Sequence, residues 1–275
     1  PPTAARADGG KDEETMSNSR LQTAEVPRVK QKLTASEIFV EYGAAIALAA
    51  LILFNIIFTK NFLSVNTLFT IIKQSTPILF TTIGMTIVIS AGGTDISAGS
   101  MMGFCGIICA LSLSAGMNFY LTVLLSLALC ALIGIFNGLL IAKAGVQPII
   151  LTLVMQIVMR GVTVMLADSK VFPLNSYPEV KTLGLGRLAG GVPIQAIFFC
   201  IAAILGLFLI NRTTLGKYVE AIGGSERAAR LAGIRTVLII VTVYTLSAVF
   251  AGMAGILEMA RNGALDPSQL GKLYV

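Results

Sequence analysis

The sequence predicts an all-α, polytopic membrane protein, and three observations carry that prediction. Several uninterrupted apolar runs reach roughly 20 residues, enough for a helix to cross a hydrocarbon core of about 30 Å. Only 12% of the 275 residues are charged, about half the share found in soluble domains, and the mean hydropathy is +0.84. The runs are long and continuous, whereas a membrane β-barrel needs short alternating segments. The formal net charge of +6 is concentrated in the connections, which favours membrane orientation over nucleic-acid binding.

Residues 1–37 hold six basic and six acidic residues and no long apolar run, so they are expected to be a disordered, cytosolic N-terminal segment. Residues 38–275 form the expected transmembrane domain. Arg28, Lys30 and Lys32 stand immediately before the first span and place the N-terminus inside. No cleavable secretory signal is evident.

Seven apolar segments follow, at about 39–58, 69–91, 97–115, 119–142, 147–166, 194–210 and 237–260. Lys73 and Gln74 are expected in the first turn of the second, where a lysine can reach the interface, and Pro77 can kink it. Residues 167–193, with Pro173, Pro178 and Pro193, read as a long loop. Counting spans from an inside N-terminus puts that loop outside and the window 211–236 inside.

That window is the most basic connection, with Arg212, Lys217, Arg227, Arg230 and Arg235 against two acids. Ser225 can cap a short helix over 226–232, and Gly233 can end it in a left-handed turn. Glu226 and Arg230 are four apart on its face. Ala228, Ala229 and Ala232 supply a small-residue face. A cytosolic loop kept inside by its charge explains the composition; a helix on which a soluble partner docks explains the cap, the stop and the alanines.

Gly92-Gly93-Thr94-Asp95-Ile96-Ser97-Ala98-Gly99-Ser100 separates two apolar runs. Thr94 or Asp95 can cap the helix that follows, and an acid there meets its positive end. Two readings stand: a cap at the cytosolic surface, or a packed broken helix shaping a translocation path. Asn137 and Gln156, which lie within apolar segments, are further candidates for the path. Arg160 and Glu258 also lie within spans and are expected to reach protein or water; snorkelling of Arg160 is expected ahead of an Arg160–Glu258 pair. Gly134 and Gly138 form a GxxxG, and Ala251 to Gly255 a looser version, both suited to close helix packing.

Cys105, Cys109, Cys130 and Cys200 sit in apolar runs without metal-ligand spacing and read as packing residues. There is no histidine, and no GxxxxGK[ST] phosphate loop. No cofactor is therefore expected in this chain, and any ATP chemistry must come from another polypeptide.

Three stretches, GMTIVISAGGTDISAGS (84–100), PIILTLVMQIVMRGVTVM (148–165) and TLGKYVEAIGGSERAARLAGI (214–234), resemble the inner-membrane permease family of bacterial ABC importers for ribose and related sugars. The third is similar to the family's cytosolic coupling region, with Glu220, Ala221, Gly223, Ala228, Ala229, Gly233 and Ile234 at its characteristic places. The resemblance implies an ABC importer permease bundle with a coupling helix, contributed to by Ser225, Glu226, Arg227 and Arg230. It also implies a second permease subunit, separate ATP-binding proteins carrying ATP and Mg2+, a periplasmic sugar-binding protein, and a multi-pass inner-membrane location. Two departures stand out. Thr94 occupies a position that is often apolar, and the sequence stops at GALDPSQLGKLYV where members usually continue, so an incomplete C-terminus is expected. A non-transporting scaffold or inactive permease is the alternative reading, and a secondary carrier a third.

Overall fold

The computed structural model describes residues 35–188, 191–267 and 269–271. The chain divides into two compact units, 1–62 and 63–275.

The first unit contributes α1 (Ala35–Phe58). Its helical run begins inside the polar segment expected over 1–37; residues 1–34 lie outside the described part. Near its end Asn55 donates from Nδ2 to the Leu51 carbonyl at 2.9 Å, which satisfies a polar side chain within its own helix.

The second unit is a helical bundle. Its long helices are α2 (Val65–Ser90), α3 (Ala98–Ser114), α4 (Phe119–Ala142) and α5 (Pro148–Leu166). Then come β1 (Phe172–Pro173), α6 (Pro178–Leu185), α7 (Ile194–Arg212), α8 (Thr214–Gly224), α9 (Glu226–Leu231), α10 (Thr236–Asn262) and β2 (Ala264–Leu265). Among the described residues five helices, α2, α4, α5, α7 and α10, are long and apolar enough to cross a membrane, while residues 42–58 of α1 and all of α3 are shorter apolar helices. α3 has 17 residues, a rise of about 26 Å, so it falls short of the roughly 30 Å core by itself.

α10 is the axis of this unit and packs against α2, α3, α4 and α6. Small residues allow the approach. A methyl built on Gly134 would lie 2.7 Å from the Thr245 Cα, and one on Gly138 2.6 Å from the Val241 Cα. The looser motif works in the same way, because a methyl built on Gly255 would lie 2.4 Å from the Met102 carbonyl oxygen. α3 is buried on nearly all sides, from Ala98 to Gly106 without a break, as expected of a helix apolar all round.

Three expectations change. α2 starts at Val65, where Ser64 accepts from the Thr67 N–H, so Lys73 and Gln74 lie in its third turn. Asn66 and Thr67 read as loop residues, yet they follow a good N-cap. The 167–193 segment is structured in part: β1 pairs antiparallel with β2, and α6 opens with Pro178 at its first position, where proline's missing N–H costs nothing. Arg160 reaches protein, as expected, but not Glu258. It donates to the Leu270 carbonyl at 2.8 Å, and Glu258 instead pairs with Arg261 one turn along α10.

Candidate functional site

The basic window folds as two capped helices. Thr213 Oγ1 accepts from the Gly216 N–H and starts α8, an 11-residue helix that the sequence reading had not separated from the loop. Its buried residues Gly216, Val219 and Ile222 recur at intervals of three, a one-face pattern. Ser225 then starts α9 by accepting from the Ala228 N–H at 3.2 Å. The stop is as expected: Gly233 has φ +84°, its N–H donates to the Arg230 carbonyl, and that of Ile234 to the Ala229 carbonyl, the paired bonds of a Schellman motif. Arg230 binds Glu226 at 2.7 Å and reaches Thr236 Oγ1 at 3.4 Å, tying α9 to the start of α10.

The three small residues divide: Ala228 and Ala232 are exposed, as a docking face requires, and Ala229 is not. Ala229 is buried, so it seats α9 on its own chain. The outward face carries Glu226, Arg227, Arg230 and Leu231, with Leu231 85% exposed. Glu220, Ala221, Gly223, Ser225 and Gly233 are also exposed. Leu231 is the residue that sequence reasoning missed, and its signal was a leucine set among charges.

The broken turn lies against this window. A methyl on Gly223 would come within 2.0 Å of the Ser90 carbonyl, the last residue of α2, and Gly92 stands opposite Gly223. Gly92 adopts φ +79°, a conformation that favours glycine. Gly93 faces the Tyr244 hydroxyl, 2.5 Å from where its Cβ would be. Turn, α8, α9 and α10 together line a cleft of 260 Å³ that includes Gly92, Gly93, Gly223, Glu226 and Tyr244.

Asp95 is 3% exposed. Its Oδ1 accepts from Ser97 N–H at 3.0 Å and from Ser97 Oγ at 2.6 Å, while Oδ2 accepts from Ser247 Oγ on α10 at 2.7 Å. Ser97 and Gly99 are buried beside it. This is a packed turn, not a cap facing solvent.

Asn137 and Gln156 are not among the residues lining that cleft. Asn137, between Gly134 and Gly138, is buried with Oδ1 lacking a hydrogen-bond partner; Gln156 is half-buried on α5. The hydroxyls of Thr81, Thr86 and Ser126 donate to carbonyls four residues back in their own helices, which leaves them only as acceptors. At the opposite end of α10, Glu258, Arg261, Asn262, Asp266 and Gln269 border a second cleft of 450 Å³.

Among the described residues no group of His, Cys, Asp or Glu is placed to hold a metal. The cysteines are free, three of them buried and Cys200 exposed.

Residues 67–274 match the family described as "Branched-chain amino acid transport system / permease component". The chain is 36% identical over 233 residues to the ribose import permease protein RbsC of Escherichia coli, covering 83% of this chain and 72% of that one. It is 33% identical over 201 residues to the galactofuranose transporter permease protein YtfT of the same species, covering 73% and 58%. With the D-allose transport system permease protein AlsC it shares 30% over 229 residues, covering 82% and 70%. No solved structure matches the chain.

Proposed function

Because the chain belongs to the family of branched-chain amino acid transport system permease components, we propose that it carries a small neutral sugar across the bacterial inner membrane as one subunit of an ATP-driven importer. It is a multi-pass membrane protein and a transport subunit, with nucleotide hydrolysis left to separate ATP-binding subunits. The N-terminus and the α8–α9 window face the cytoplasm, where the ATP-binding subunit docks. A second permease subunit completes the core, and a periplasmic binding protein delivers the solute.

The observation that carries this reading is the seating of α8 on the broken turn, through Gly223 against Ser90. A partner pressing on the exposed face of α9 thereby reaches the packed interior. The class of solute follows from the relatives, whose names specify ribose, galactofuranose and D-allose. A branched-chain amino acid is the second reading, favoured by the family description.

Reconstitution with the ATP-binding subunit and the cognate receptor tests both. Receptor loaded with a pentose or hexose is expected to stimulate ATP hydrolysis and uptake, and leucine-loaded receptor is not. Leucine uptake without sugar uptake would establish the second reading. A chain that associates with no ATP-binding subunit would be the scaffold of the alternative.

A further inference from the structure

The turn between α2 and α3 is held by more than packing. The two oxygens of Asp95 address different elements, Oδ1 the start of α3 through Ser97 and Oδ2 the middle of α10 through Ser247. The Tyr244 hydroxyl, one turn earlier on α10, donates to the Thr94 carbonyl at 3.2 Å. On its other side the turn meets α8, where no side chain fits between Gly223 and Ser90. Ser247 is the twelfth residue of α10, about 16 Å along it from the end nearest α9.

We propose that Asp95 is a positioning residue that fastens the α2–α3 turn to α10, so that displacement of α8 and α9 moves the turn and α10 together. The proposal rests on the permease reading above and adds to it the part that transmits the push. Charge-assisted hydrogen bonds are the strong members of their class, and here both carboxylate oxygens are engaged in a buried place. A solute or ion would have to displace those donors before touching the carboxylate, and Asp95 does not line the neighbouring cleft. Its role is therefore the connection and not contact with cargo. An amide can replace the carboxylate in this role, because a serine hydroxyl both donates and accepts.

The test uses Asp95→Ala, Ser247→Ala and Asp95→Asn in the complex with ATP-binding subunit and receptor, in proteoliposomes. The readout is solute moved per ATP hydrolysed. Asp95→Ala and Ser247→Ala are expected to lower that ratio by about tenfold, the scale of one charge-assisted hydrogen bond. Subunit association and receptor-stimulated hydrolysis should stay within about twofold of the unmodified complex, since the α9 surface is untouched. Asp95→Asn should restore most of the ratio. Simple misfolding would lower association, hydrolysis and transport together.

A second arm needs no transport. In a Cys200→Ser background, alkylation of Thr94→Cys in the chain alone should quicken about tenfold when Ser247→Ala is added, because freeing the turn exposes it. An unchanged transport ratio in Ser247→Ala, or Asp95→Asn as damaging as Asp95→Ala beside a normal Ser247→Ala, would overturn the proposal. So would an unaltered alkylation rate. If the unmodified complex shows no coupled hydrolysis, the permease reading fails, and the alkylation arm still decides whether the connection exists.

Discussion

Leu231 and Ala229 are two residues apart and do opposite work. Leu231 is 85% exposed and Ala229 4%, so the leucine is available to a partner and the alanine is not. Filling a partner's pocket with such a leucine is worth about 1.5–3 kcal/mol. Leu231→Asp is therefore expected to weaken association of the ATP-binding subunit more than tenfold, read by titration in detergent, with the melting temperature unchanged. Ala229→Trp should lower the melting temperature instead, because it overpacks the seat of α9. Arg227→Ala should have a small effect, since exposed charges contribute little. Which of Ala228, Ala229 and Ala232 is buried could not be read from sequence. A helix of six residues spans less than two turns, and small residues suit a buried face and a docking face equally well. The serine cap and glycine stop were legible because each is a local backbone requirement.

At the scale of elements, the contact between α4 and α10 depends on missing side chains. Gly138→Leu would drive atoms into the Val241 backbone, and overpacking of this kind costs about 1–3 kcal/mol. The expected result is a lower thermal unfolding midpoint in detergent, while Gly161→Leu on α5, where a Cβ meets nothing within 4 Å, leaves it unchanged. The GxxxG spacing is a property of one helix and so was visible in sequence. Its partner was not, because Val241 and Thr245 lie about a hundred residues away. α6 and α8 were missed for a related reason. Both are short, and their helical periodicity is interrupted by glycines and charges; only Pro178 and Thr213 mark where they begin.

At the scale of the whole molecule, the hydroxyls of Thr81, Thr86 and Ser126 give their protons within their own helices, so none of the three has a donor to spare for a solute. On the importer reading proposed above, selection rests with the receptor, and the chain alone should bind a pentose more weakly than about 1 mM. Calorimetry on the purified chain checks this, and micromolar binding would place selectivity here. The membrane class and the two separate motifs were legible in the sequence, while their juxtaposition was not. Gly223 meets Gly92 only because α8 folds back beneath α2, a long-range arrangement that no local pattern specifies.

The spacing of the two clefts along α10 has a consequence for insulation. The cleft beside Tyr244 and the cleft beside Glu258 both border α10, 14 residues apart, about 21 Å along its axis. A hydrocarbon core is about 30 Å thick. The stretch of α10 between the two clefts is thus shorter than such a core is thick, and on the permease reading proposed above the residues packed around it form the barrier between the two sides.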